Sequence, residues 1–494
     1  MTHPNDSVNP NPNPNPYPNS NANLDPNPYP NPNPNPDLDP YPYRGRNPDP
    51  GRAGSGGPGG HGPHGGGQDV PTTRLAVLPP GARRLRKPQA PQTPRATQVA
   101  QGAPEEAPEP SATGTGKPGR DRYLDLLRAV ALVRVVFFHL FGWAWLTVVF
   151  PSMGVMFALA GSLMARSLSR PAGSVIRGRL RRLLPPMWLF SLVVLPMMFA
   201  LSWKPVREEG LWWFAKLAFY VFPVGSPPYP EESGSPGGLL ELSWADQGVG
   251  PLWYIRAYLW FVIASPLLLR AFRRLPWATL LAPVALTAVI GTGLVDVPGV
   301  FGEALTDFAV FGACWILGFA HNDGLLKEVP RYLAVSTAAI VMGFGLWWAS
   351  GHLTEEGWNL DEIPLAQATW SLGFCAILLV YAPSWRTLPG KFAGWDSLVT
   401  LANNRAVTIY LWHNLLLMAA GRIVEMSWDI PWFGDTFDTY IEKSYDALIL
   451  ILIWPLLGLA ILAFGWVEDV AAKRRPRLWP NGSGKPAGRR RTAG

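Results

Sequence analysis

The residues best suited to chemistry lie where this chain makes them costly. The stretch "RDRYLDLLRAVALVRVVFFHLFGWAWL" (120–146) is largely apolar, yet it carries Arg128, Arg134 and His139. An imidazole with an ordinary pKa near 6.5 is neutral at small cost, so His139 suits either a hydrogen bond to a neighbouring helix or proton transfer. As a functional group it would be catalytic. Eleven residues separate Arg128 from His139. On a helix that is about three turns, a rise of roughly 16 Å, with both side chains on nearly one face. Arg134 is predicted about 140° away from His139 at ~100° per residue. Arg128 then sits at the mouth of the span, as an anion site or as a snorkelling anchor, and His139 near the middle of the apolar stretch 129–150.

Three further groups stand out. In "RGRLRRLLPPMW", Arg177, Arg179, Arg181 and Arg182 crowd one end of an apolar segment. Guanidiniums bind phosphate through forked, charge-assisted hydrogen bonds, so this cluster suits a polyphosphate, and equally anionic lipid headgroups or simple topology control. "NNRAVTIYLWHNLLL" places Tyr410 and His413 deep in a late span, beside Asn403, Asn404 and Arg405. Arg256 in "PLWYIRAYLWF" is a further buried cation, and Asp307 is a candidate counter-charge for one of the arginines. Arg256, Tyr410 and His413 are expected to contribute to substrate binding. The two cysteines, Cys314 and Cys375, have no metal-ligand spacing and read as small buried residues. No metal is expected, and weak metal binding by His61 and His64 is a minor alternative.

The elements that must position these groups are helices crossing a bilayer. A mean hydropathy of only +0.07 conceals them, because residues 1–120 are Pro-, Asn- and Gly-rich and expected to be a disordered tail. From 121 to 470 about ten apolar stretches approach the roughly 20 residues that a crossing needs: 129–149, 151–169, 186–202, 251–270, 277–296, 302–320, 331–350, 364–383, 403–421 and 446–467. Residues 471–494 form a basic tail. The segment "LWWFAKLAFYVFPVG" (211–225) is short and interrupted, and is placed at the interface. The fold class is therefore all-α, a polytopic membrane bundle. The net charge of +7 reports topology rather than nucleic acid. With both termini cytoplasmic, the basic clusters at 170–185, 270–274, 385–391 and 473–491 all fall inside and the acidic loops fall outside. The first 30 residues lack the pattern of a signal peptide, so the first apolar helix is expected to direct its own insertion.

Taken together, these stretches resemble the acyltransferase type 3 family of integral membrane O-acyltransferases. Asp125, Leu127, Arg128, Ala131, Val135 and His139 resemble its opening-helix pattern. Arg179, Arg182 and Pro185 resemble its Arg-x-x-Arg element. "PLWYIRAYLWFVIASPLL" and "VTIYLWHN" are similar to its later spans. The resemblance covers 120–470 in order. Departures are "MFALAGSLM" for the usual "FFxxSGF", Leu127 for the glycine before the arginine, and Arg256 where many members carry a glutamate motif. The resemblance implies transfer of an acyl group, acetyl- or succinyl-like, from acyl-CoA as donor co-substrate to a hydroxyl of an exported glycan, a lipid or a small metabolite, at the cell membrane. No permanently bound cofactor is implied. His139 and Arg128 would be catalytic, and Arg179 and Arg182 would bind CoA phosphates. Trp-rich external loops such as "SWDIPWFGD" would stack on sugar rings or simply sit at the interface. The rival classes are a transporter or flippase using the same buried charges without covalent chemistry, and a membrane sensor. An inverted repeat would favour transport, and none is evident.

Overall fold

The computed structural model describes residues 121–482 except 202, 204–209, 233, 236–242, 292–294 and 296. The expected disordered tail and the last twelve residues of the basic tail, 483–494, lie outside the described residues. The described chain is helical: α1 (Arg122–Phe141), α2 (Trp145–Val149), α3 (Ser152–Ser167), α4 (Ala172–Ala200), α5 (Gly210–Lys216), α6 (Trp244–Val249), α7 (Leu252–Arg274), α8 (Pro276–Gly291), α9 (Gly299–Asp323), α10 (Leu325–Glu328), α11 (Arg331–Ser350), α12 (Pro364–Val380), α13 (Asp396–Asn404), α14 (Ala406–Glu425), α15 (Pro431–Phe464) and α16 (Trp466–Ala471). By length and composition, seven described stretches suit a membrane crossing: Trp145–Ser167, Ala172–Ala200, Trp244–Arg274, Gly299–Asp323, Arg331–Ser350, Ala406–Glu425 and Phe437–Phe464. The apolar helices α8 and α12 are shorter, and α1 carries Arg122, Asp125, Arg128 and Arg134. The segment 211–225 holds only the short α5 and one turn of 3-10 helix.

Several boundaries differ from the sequence expectation, each for a local reason. The first helix begins at Arg122, because the Asp121 side chain accepts from the Tyr123 N–H as an N-cap, and it ends at left-handed Gly142. His139 is therefore in its last turn and not mid-span. Arg177, Arg179, Arg181 and Arg182 lie on the first turns of α4 and not in a loop before it. The 403–421 span is broken at Arg405, which separates α13 from α14.

Contacts gather one set of helix ends together. The Arg122 N–H donates to the Trp385 carbonyl at 2.9 Å. Arg122 also pairs with Asp396. Tyr123 Oη donates to Leu378 O at 3.3 Å, Arg273 pairs with Asp323 at 2.7 Å, and Arg331 lies over the Tyr381 ring. The basic clusters around 177–182, 270–274 and 385–391 thus share one end of the bundle. At the opposite end, Thr147 Oγ1 takes the Leu360 N–H at 3.0 Å, joining α2 to the loop before α12.

The centre of the bundle is α3 against α9. The apolar window containing α3 is 78% buried, against 17% for α11 and 28% for α15. Exposed Ile340, Trp347, Ile451 and Leu459 on those outer helices suit contact with lipid chains. Small residues let α3 and α9 approach closely: a Cβ on Gly161 would strike the Trp315 carbonyl, and one on Gly318 would strike the Ala158 carbonyl.

The chain beyond α15 folds back on the arginine end. Arg405, fully buried, pairs with Asp469 at 2.7 Å. Glu468 accepts from the Thr408 N–H at 2.8 Å and from Thr408 Oγ1 at 2.6 Å, capping the first turn of α14. Burial pushes the Glu468 carboxyl up to about 7, although Thr408 and Arg405 pull it down.

Two outcomes follow. Gly318→Ala overpacks the α3–α9 contact and should destabilise by about 1–3 kcal/mol, seen as a lower thermal midpoint in detergent. Gly343→Ala, inside α11 with nothing within 4 Å, should instead raise that midpoint slightly. Glu468 binds its proton more tightly folded than unfolded. Its contribution is therefore largest below the ordinary carboxylate range and is lost as pH rises through about 7. The midpoint of the native protein should fall between about pH 5 and pH 8, and Glu468→Gln should flatten that slope.

Candidate active site

α1 and α14 carry the two histidines to one point. The His139 and His413 ring centroids are 5.0 Å apart. Arg128 Nη1 donates to Asn403 Oδ1 at 3.2 Å, which sets the register. From that contact eleven residues lead along α1 to His139 and ten lead through α13 and α14 to His413. Both routes climb about 15–16 Å, so the depth expected between Arg128 and His139 is present.

His413 has a defined tautomer. Its Nδ1 lies 2.6 Å from the Tyr410 carbonyl, which can only accept. Nδ1 therefore carries the proton, and Nε2 presents a lone pair. That Nε2 is buried without a hydrogen-bond partner, as is His139 Nδ1. Buried polar atoms are normally paired, and an exception calls for an explanation such as a water, an ion or a catalytic role.

Both rings line one narrow cleft. Arg134, Phe138, Tyr410 and Asn414 also line it, with Asp246, Trp253 and Asp361 nearer the end away from the arginine cluster. Arg134 departs from expectation. Its helical position is turned from His139, but the side chain is long enough to bend over the Phe138 ring, 4.7 Å from its centroid. It then reaches Asp361 at 3.9 Å and enters the cleft. Arg134 Nη2 and Asn414 Oδ1 are also buried without hydrogen-bond partners, so four residues lining one space each carry such an atom. Burial raises the Asp361 pKa, and the attraction of Arg134 opposes this.

Arg128, Arg179 and Arg182 do not line the cleft. A string of rings joins the two regions instead. Arg179 Nη1 donates to Tyr258 Oη at 3.3 Å. Tyr258 lies 6.4 Å from Tyr254, Tyr254 lies 5.0 Å from Tyr410, and Tyr410 lies 5.6 Å from His413, centroid to centroid. Tyr254 and Tyr258 are one turn apart in "PLWYIRAYLWF", a spacing that puts them on one face and was open to notice. Asn414 is the neighbour of His413, but Asp361 joins the site only through tertiary folding. Arg256 stands apart from the cleft. It pairs with Asp307 at 3.1 Å and with Glu303, which identifies the partner of Asp307 and makes this arginine a link between α7 and α9.

Removing one member of a buried ion pair strands the other. Asp361→Asn should therefore lower the thermal midpoint, and adding Arg134→Gln should recover part of the loss. Strictly additive losses in the double variant would contradict the pairing.

Comparison with curated proteins gives no significant match. Comparison with solved structures gives none either. A family model for the acyltransferase domain, Acyl_transf_3, matches residues 121–467. These residues hold both histidines, the cleft and Arg179 with Arg182, and on that match this membrane protein belongs to the acyltransferase 3 family.

Proposed function

We propose that the protein moves an acyl group, acetyl- or succinyl-like, from cytosolic acyl-CoA to a hydroxyl of an exported glycan, a lipid or a small metabolite. It does so in the cell membrane with both termini cytoplasmic. The observation that carries this reading is the convergence of the unpartnered atoms of His139, His413, Arg134 and Asn414 on one cleft. That cleft stands one helix climb above a cluster of phosphate-competent arginines. The shared end of the basic clusters supports placing them in the cytosol.

Arg179 and Arg182 hold the CoA phosphates, with Arg128 close to Tyr254 along the route. The pantetheine arm follows the Tyr258–Tyr254–Tyr410 rings, and its thioester reaches His139. The acceptor enters by the cleft. Its hydroxyl oxygen attacks the thioester carbonyl carbon while His139 takes the hydroxyl proton. The unpartnered Nη2 of Arg134 faces the developing oxyanion. Collapse breaks the C–S bond, and the imidazolium returns the proton to the CoA thiolate. His413, fixed in its tautomer by Tyr410, packs against the His139 ring, and its unpartnered Nε2 is free to accept a hydrogen bond from the acceptor hydroxyl.

Purified protein in liposomes, supplied with labelled acyl-CoA and acceptor extract, tests this by release of free CoA. His139→Ala should reduce transfer by at least about 10²-fold while CoA still binds. Arg179→Ala with Arg182→Ala should raise the KM for acyl-CoA roughly tenfold or more. Wild-type turnover by the His139 variant would overturn the mechanism. Movement of acceptor without thioester cleavage would favour transport instead.

A further inference from the structure

The family-matched region ends at residue 467, but the chain beyond it is built into the arginine end of the bundle. α16 closes with Lys473 at φ 57°, the non-glycine residue with positive φ among the described residues. The Lys473 N–H donates to the Val470 carbonyl at 2.9 Å and the Arg474 N–H to the Asp469 carbonyl at 2.8 Å. This double closure is a Schellman cap, whose left-handed position is usually glycine because a Cβ is strained there. The surroundings hold the lysine in that conformation. Asp469 pairs with Arg405 at 2.7 Å and accepts the Arg477 N–H at 3.0 Å. Arg181 Nε donates to the Ala471 carbonyl at 3.2 Å, and Asn404 Nδ2 donates to the Pro480 carbonyl at 2.9 Å.

α16 packs against α4, where Arg181 bonds the Ala471 carbonyl, and exposed Arg474 follows three residues later. The charges of Arg179, Arg181 and Arg474 all act on Arg182. None of these four makes an ion pair with a carboxylate among the described residues, whereas Arg122, Arg134, Arg256 and Arg405 each do. Arg179 bonds only neutral groups: Tyr258, Ser167 and the Leu163 carbonyl. Four guanidiniums gathered without a counter-charge repel one another, and a polyanion placed between them relieves that repulsion.

We propose that Arg474 is a further phosphate-binding residue of the donor site, and that residues 472–482 form one wall of it. This rests on reading Arg179 and Arg182 as the acyl-CoA phosphate site. An anionic lipid headgroup offers the same phosphate chemistry, so the test separates the two.

The full chain is placed in nanodiscs of phosphatidylcholine alone, or with phosphatidylglycerol added, and the Kd for CoA is measured. Arg474→Ala should weaken CoA binding roughly five- to twentyfold in both, Arg474→Lys less so, and Arg179→Ala with Arg182→Ala at least as much. Arg474→Ala should leave the thermal midpoint in detergent unchanged. A lowered midpoint accompanying the loss of affinity would show that the tail acts through its fold and overturn the assignment. Native CoA affinity in Arg474→Ala, with loss in the Arg179/Arg182 variant, would overturn the role of Arg474 and leave the donor site standing. Native affinity in both would overturn the donor-site reading. An effect confined to phosphatidylglycerol discs would assign Arg474 to lipid headgroups.

Discussion

The hydrocarbon core offers no water, so each charge carried into this bundle has to be answered by another part of the protein. That constraint organises the fold. Arg122 is met by Asp125 and Asp396, Arg256 by Asp307 and Glu303, Arg405 by Asp469, and Arg134 by Asp361. Apart from Arg122–Asp125, which lies within α1, the pairs join separate segments, and together they fix which helix ends meet. Among the described residues the apolar faces of α11 and α15 carry no such pairs, and their exposed side chains suit contact with lipid. Against this background two regions stand out: the cleft, four of whose lining residues carry an unpartnered polar atom, and the guanidinium cluster on α4, which meets no carboxylate among the described residues.

These two regions define the directional reading of the site. Arg128, Arg179 and Arg182 are not among the residues lining the cleft, and Arg179 approaches it through Tyr258, Tyr254 and Tyr410. A group transfer that takes its donor from one side and its acceptor from the other needs such an arrangement, with a proton-transferring group at the meeting point. His139 is presented there because α1 stops at Gly142, which leaves its last turn facing the middle of α14. In the proposed account the imidazole serves both half-reactions without the thioester meeting external water.

Much of this was legible in the sequence, and the rest was not for definite reasons. Apolar runs located the helices, and the spacing from Arg128 to His139 gave the climb, because helical rise depends on nothing beyond the backbone. Helix starts were less legible. The Asp121 cap and the helical run through Arg177–Arg182 extend α1 and α4 past their apolar stretches, since arginines favour helix as well as water. Arg134 was misplaced because backbone angle fixes where a side chain starts and not where six bonds of arginine end. The pairing of His139 with His413 and the approach of Asp361 depend on contacts between segments more than 200 residues apart in the chain. A single sequence does not encode those distances as a local pattern. Lys473 in a left-handed cap was also hidden, because glycine, the usual signal, is absent there.

The central claim is that the donor thioester and the acceptor cleft meet at His139. A cryo-electron microscopy structure of the protein with a non-cleavable thioether analogue of acyl-CoA would test it most directly. The account predicts phosphate density against Arg179 and Arg182, the arm laid along Tyr258, Tyr254 and Tyr410, and the sulfur within contact distance of the His139 ring. An analogue bound with its arm directed into lipid, or a His139 ring turned away from the sulfur, would contradict it.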